Sequence, residues 1–205
     1  MKVVVPYAAH EPKTRLAGTL SEAERAAFAE AMLADVLDAI RATGHDPKIL
    51  STAPLETDFD ATVRTDDRPL SPAINAVLAD ADEPVAIVMA DLALATPDAL
   101  SRLFDTDADV AVAPGRGGGT NALVVRHDEF RVDYHGASYL DHRQAARDVD
   151  ATVEVVDSHR LATDVDERAD LAEVLLHGEG RAVDWLREAG FSLLVDDGRV
   201  EVARE

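Results

Sequence analysis

Apolar residues in this chain fall into two patterns: short unbroken runs suited to buried strands, and longer stretches with helical spacing. Val3-Val4-Val5 is the first run, and Pro6 is expected to end it. A loop over residues 6–20 follows, long enough to be suspected of function. Ser21-Glu22-Ala23-Glu24 has the spacing of a capping box, and Phe28, Met32, Val36 and Ile40 continue it along one helical face until Gly44. Short strands are expected at 48–51 and 61–64, a helix from Ser71-Pro72 through Leu78, and a central strand over 84–90. Thr96-Pro97-Asp98 reads as a helix start with proline in the first turn.

The second half continues the alternation. Residues 109–113 read as a strand, Pro114-Gly115-Arg116-Gly117-Gly118-Gly119 breaks it, and 120–125 resume extended structure. Helices are expected over 138–149, 166–176 and 180–189, the last around Trp185, with a strand at 152–156. Residues 191–195 and 199–202 flank Asp197-Gly198, a strong hairpin signal. Strands alternating with helices predict an α/β fold whose mainly parallel sheet is covered on both faces, with small antiparallel additions. The 205 residues show no repeat or linker and suit one domain, 1–205, able to bury a full core.

Charge alters this picture. Forty acidic residues face 20 basic ones for a net charge of -20, and only Lys2, Lys13 and Lys48 are lysines. The acids are scattered rather than gathered in a tail, so they are a property of the whole surface. Such a surface repels itself in ordinary cytosol, whereas a Debye length of about 3 Å in molar salt screens the repulsion. A salt-adapted protein is expected, one that binds neither nucleic acid nor an anionic membrane nonspecifically. The chain has no cysteine, which excludes disulfides, thiolate-bound zinc and thiol catalysis. No run is apolar and long enough for a membrane span, and the start lacks a signal-peptide core, so a cytoplasmic location is expected.

Three acidic positions carry most of the candidate chemistry. Asp91 closes the apolar run of the central strand, where open α/β sheets bind ligands. Asp164 and Asp166, one residue apart, could join it around a hard, oxygen-loving cation. Each has a plainer reading: Asp91 as turn chemistry, and Asp166 as the N-cap of the helix that follows. Lys13-Thr14-Arg15 can neutralise phosphates or be ordinary surface cations. The glycine run through Gly119, with Thr120 and Asn121, allows close approach to a small anion or forms an irregular turn. His135, Gly136, Ser138 and His142 could serve a bound acid or simply begin a helix.

Several segments in order resemble one family over nearly the whole chain: VVVPYAAHEPKTRLAG, the helix holding Asn75, VMADLALATPDAL, APGRGGGTNALVV, GASYLDHRQAA and LATDVDERADL. That family is the 2-phospho-L-lactate guanylyltransferases of coenzyme F420 biosynthesis, relatives of the molybdenum-cofactor guanylyltransferases. The resemblance implies a Rossmann-like, GT-A-like nucleotidyltransferase fold, a three-layer sandwich. It implies transfer of GMP from GTP to 2-phospho-L-lactate, or to phosphoenolpyruvate in some relatives. By motif position Asp91, Asp164 and Asp166 hold Mg2+, with Asp91, Lys13 and Arg15 serving catalysis at the triphosphate. Thr120 and Ser138 contact the acceptor beside Gly119, Asn121 and Gly136, while Asn75 is a candidate to read the base. The resemblance also implies a homodimer. Two positions depart from the family pattern: Ala8 stands where relatives often carry lysine, and His135 where they tend to carry glycine. The alternatives are a nucleotidyltransferase for molybdopterin or a sugar phosphate, and a nucleotide-binding regulatory domain without chemistry.

Overall fold

A computed structural model describes residues 1–10, 12–196 and 199–205. Its first half runs β1 (Lys2–Tyr7), α1 (Glu22–Ala42), β2 (Pro47–Ser51), β3 (Thr62–Thr65), α2 (Leu70–Ala79), β4 (Val85–Val88) and α3 (Pro97–Phe104). The second half runs β5 (Val110–Pro114), β6 (Thr120–Val125), α4 (Ser138–Asp148), β7 (Val153–Val155), α5 (His159–Ala162), α6 (Asp170–His177), α7 (Arg181–Glu188), β8 (Phe191–Asp196) and β9 (Arg199–Arg204). Seven strands form one sheet in the order β3-β2-β1-β4-β6-β5-β7. Every pairing in it is parallel except those of β6, which runs antiparallel to both β4 and β5. The reason is local: the glycine-rich turn after Pro114 reverses the chain at once, so β5 and β6 pair as a hairpin. β8 and β9 form a separate antiparallel pair, as expected; the Asp197-Gly198 turn lies outside the described residues.

The pleat splits the core in two. Val3 and Val5 of β1, with Ala86 and Val88 of β4, face the layer that holds α1, α3, α6 and α7. Val4, Val85 and Ile87 face the opposite layer with α2 and α4. Both faces are therefore covered, the three-layer arrangement that unbroken apolar strands require. Within α1, Phe28, Met32, Val36 and Ile40 are wholly buried, and Phe28 packs on Trp185 of α7 with ring centroids 5.2 Å apart.

Local signals set the helix starts. The Ser21 side chain accepts from the Glu24 amide while Glu24 accepts from the Ser21 amide at 2.8 Å, a complete capping box. Thr96 caps α3 ahead of Pro97. The start of α7 is capped from a distance instead: Asp35 of α1 accepts from the amides of Arg181 and Ala182, each at 2.8 Å.

Two expectations are corrected. Pro6 lies inside β1 rather than ending it. Tyr7 turns its carbonyl to β2, accepting from the Thr52 amide at 3.1 Å, so the alternate residue Pro6 faces the β4 side. The ladder to β4 covers only Lys2, Val3 and Val4, so no hydrogen bond is lost there. The helix expected from residue 166 begins at Asp170, and the short α5 precedes it. The Asp170 carboxylate accepts from the amides of Asp166 at 3.0 Å and Glu167 at 2.8 Å. The Asp166 carboxylate caps no helix, because the helix starts four residues later.

Candidate active site

Strand order reverses between β1 and β4, since β1 leads through α1 to β2 on one side while β4 lies on the other. Crevices at such switch points bind ligands at the carboxyl ends of the strands. A cleft of about 440 Å³ opens there, lined by the end of β1, the 12–15 loop, β2, the start of α2, and Met89, Ala90 and Asp91 after β4. Lys13, Arg15, Asp91 and Asp166 form one linked charged group in its lining, Asp66 and Arg68 a second, and Ala29, Met32, Leu50, Ala73 and Met89 add apolar surface.

The charged part centres on Lys13. Its ammonium donates to Asp91 Oδ2 at 2.6 Å and to Asp166 Oδ1 at 2.8 Å, and Arg15 reaches Asp166 Oδ2 at 3.3 Å. The Lys13 side chain is only 11% exposed. Burial alone would disfavour its charge, but the facing carboxylates of Asp91 and Asp166 outweigh that and raise its pKa above the ordinary lysine value. Lys13 adopts left-handed backbone geometry, φ 55°, at the entrance of a one-turn helix over Thr14–Leu16. For a residue with a Cβ this costs about 1 kcal/mol. The turn is held by Leu16 and Ala17 amides donating to Lys13 and Thr14 carbonyls at 2.9 and 3.0 Å, and Leu16 is wholly buried beneath it.

Asp164 lies on the other side of Val165, whose amide donates to the Asp91 carbonyl at 3.2 Å and ties this loop to the end of β4. The Asp164 carboxylate is oriented by Asn121, which donates one amide nitrogen to it and to the Leu161 carbonyl, each at 3.0 Å. Asn121 itself sits beside the strand that delivers Asp91, since Met89 donates to its carbonyl at 3.0 Å. Gly115 is needed at this point: a Cβ there would come within 2.5 Å of Asn121 Oδ1.

A second polar cluster stands at the start of β6. The Thr120 amide donates to Ser138 Oγ at 3.0 Å, and both residues are buried. His142, wholly buried on α4, lies 2.9 Å from Thr120 Oγ1 through Nδ1, while the Asp133 amide donates to its Nε2 at 3.0 Å. Nε2 is therefore the acceptor and Nδ1 carries the proton, so Thr120 Oγ1 accepts; Thr120 and Ser138 are buried and outside the cleft lining. Burial lowers the His142 pKa to about 4, although Asp141 and Asp133 pull the other way. The imidazole is neutral at pH 7. Tyr134 meets its ring edge-on at 4.9 Å.

The other expected residues are placed differently. Both ends of the Asn75 amide are spent on Val132, accepting from its amide at 2.8 Å and donating to its carbonyl at 3.0 Å, outside the cleft lining. Gly119 closes the turn by accepting from the Gly115 amide at 2.9 Å, and Gly136 is exposed with φ 49°. His135 is exposed and pairs with Asp133. Sequence reading did not single out Thr52, Asp66 or Arg68, which also line the cleft. Arg68 holds Asp66 at 2.8 Å through Nε, and the dipeptide-spaced acid and base were the only available signal.

The carboxylates fit a hard divalent cation by their chemistry. Asp91 Oδ1 is buried without a hydrogen-bond partner among the described residues. Asp91 and Asp166 share one ammonium, so a cation already bridges them. Asp164 spends one oxygen on Asn121, does not line the cleft, and does not come together with Asp91 and Asp166 into a set of ligand atoms within 4.8 Å among the described residues.

Known proteins resemble this chain in sequence and in fold. A family profile described as "Guanylyl transferase CofC like" matches residues 1–205. The 2-phospho-L-lactate guanylyltransferase of Halomicrobium mukohataei is 65% identical over 204 residues, covering all of both chains. That of Haloferax volcanii is 60% identical over 206 residues, covering 100% of this chain and 99% of the relative. Among solved structures, a nucleotidyl transferase from Methanothermobacter has a TM-score of 0.59 at 14% identity, covering 91% of this chain and 98% of the other. A 2-C-methyl-D-erythritol 4-phosphate cytidylyltransferase from Thermus thermophilus has a TM-score of 0.52 at 13% identity, covering 86% and 96%. Those structural likenesses establish the nucleotidyltransferase fold, and the sequence match is specific: this chain belongs to the CofC-like guanylyl transferases.

Proposed function

We propose that this chain transfers a guanylyl group from GTP to the phosphate of 2-phospho-L-lactate, with release of pyrophosphate. The observation that carries the reading is Lys13 held between Asp91 and Asp166 in a cleft whose other lining is largely apolar. Such a cleft suits a nucleotide, with the base on the apolar lining and the triphosphate toward Lys13 and Arg15. The family relatives named for this reaction supply the substrates.

The chemistry asks little of a general base. A phosphate monoester has its second pKa near 6, so the acceptor is already largely dianionic at neutral pH. What must be overcome is repulsion between two polyanions, together with in-line alignment at the α-phosphorus. Lys13 and Arg15 lower that repulsion. Mg2+ held by Asp91, Asp164 and Asp166 would supply the remaining positive charge on the transferring group. Thr120 and Ser138, buried at the start of β6, would orient the acceptor if the turn before β6 opens toward the cleft. Phosphoenolpyruvate carries the same phosphate and carboxylate and is the competing acceptor. The same reading includes a homodimer and a cell interior rich in salt, supported for the latter by the net charge of -20 and the haloarchaeal relatives.

Pyrophosphate release at high potassium chloride, measured across GTP, ATP and CTP with each phospho-acid, tests the proposal. GTP with 2-phospho-L-lactate should give the highest kcat/KM. GTP binding without pyrophosphate release from any pair would leave only a nucleotide-binding regulator. Equal turnover with sugar phosphates would overturn the acceptor assignment.

A further inference from the structure

We propose that His159, Glu173 and His177 form a binding site for a transition-metal dication such as Zn2+, separate from the carboxylates of the cleft. Glu173 and His177 are four residues apart on α6 and therefore share a face. His159, the first residue of α5, comes to the same face from the other side of the loop. Glu173 Oε2 lies 3.4 Å from His159 Nε2 and 3.8 Å from His177 Nε2. One ligand atom from each residue lies within 4.8 Å of the other two.

That spacing is near what a small ion needs. Metal–nitrogen and metal–oxygen distances of about 2.0–2.2 Å put tetrahedral ligands somewhat over 3 Å apart. Small side-chain rotations would close the gap, since the helices already set the backbone positions. Neither imidazole makes a side-chain hydrogen bond among the described residues, so both Nε2 atoms are available. Glu173 Oε1 lies 3.8 Å from Arg116 Nη1, and it is Oε2 that faces the histidines. Two imidazole nitrogens and one carboxylate select Zn2+, Co2+, Ni2+ or Cu2+ over Mg2+ and Ca2+. All three side chains are partly exposed, which gives the ion an entry path and room for water as a fourth ligand.

The position gives the site a consequence. α5 and α6 bracket residues 163–169, the loop that carries Asp164 and Asp166. An ion joining His159 to Glu173 and His177 would staple the two ends of that loop and hold it against the end of β4.

The test is titration of the intact protein with Co2+ and Zn2+ at high potassium chloride and excess Mg2+, which occupies generic carboxylate sites. Wild type should bind one equivalent, with the intense visible absorption of a tetrahedral, nitrogen-ligated cobalt, and zinc should raise Tm. His159→Ala, Glu173→Gln and His177→Ala should each weaken binding by roughly tenfold or more. Because these side chains are partly exposed, each variant should remain folded by circular dichroism. Weak octahedral cobalt absorption, or affinity unchanged in His177→Ala, would overturn the proposal. Pyrophosphate release is not its readout, so its failure would leave the guanylyl transfer reading intact.

Discussion

Lys13 and Asp91 are 78 residues apart in the chain, yet the lysine ammonium meets Asp91 Oδ2 at 2.6 Å. The contact joins the loop after the first strand to the end of the central one, with Asp166 as a third member at 2.8 Å. Asp91→Asn and Asp166→Asn should each lower kcat by at least about 100-fold, the loss expected when preorganised charge is removed from a transferring group. Lys13→Met leaves two carboxylates facing one another and should be similarly impaired. Steady-state pyrophosphate release measures the effect, and circular dichroism should show the fold retained. Near-wild-type turnover in Asp166→Asn would remove that residue from the reaction.

Asn121 acts on Asp164 rather than pointing into the cleft. Asn121→Ala should therefore reduce kcat/KM roughly 10- to 100-fold, as losses of orienting partners do. Gly115→Ala should mimic it, because the new methyl would meet Asn121 Oδ1 at 2.5 Å and displace the amide. Parallel kinetics of the two variants and their double mutant check the shared route. Additive losses would mean that the two act independently.

His142 makes stability depend on pH with a definite sign. Its folded pKa is lowered to about 4, against about 6.5 in the unfolded chain. Burial of the neutral ring costs nothing above pH 6.5. As pH falls from 6.5 toward 4, the unfolded state takes up a proton that the folded state refuses, and stability is lost. The loss should reach on the order of 2–3 kcal/mol near pH 4. Urea denaturation at several pH values, comparing wild type with His142→Gln, isolates this share, and the variant should show a shallower decline. An identical slope in both would show that His142 contributes none of it.

A net charge of -20 on 205 residues predicts that Tm rises with potassium chloride. Surface pairs such as Arg204–Glu24 weaken as salt is added, but each contributes little, whereas net repulsion acts across the whole surface. Calorimetry from about 0.1 M to above 1 M salt, where the Debye length shrinks from about 10 Å to 3 Å, should show a continuous rise. A flat or falling Tm would exclude salt adaptation.

Element order apart from the short α5, the starts of α1 and α3, and the position of Asp91 after a buried strand were legible in the sequence. Ser21 and Glu24 satisfy one another, and Thr96 accepts from the Ala99 amide, each within a single turn, so their spacing alone specifies the contact. The alternation of apolar runs and helical faces likewise determined a sheet covered on both sides, because burial follows directly from the period of the side chains.

The tertiary structure decided which polar groups meet. Asp166 had the sequence of an N-cap, but the helix begins only at Asp170, and its carboxylate meets Lys13, 153 residues away. Asn75 and Asn121 are alike as amides, yet one is spent on Val132 across 57 residues and the other orients Asp164 across 43. Contacts of that range depend on strand order and register, such as the reversal between β1 and β4, which no local spacing encodes.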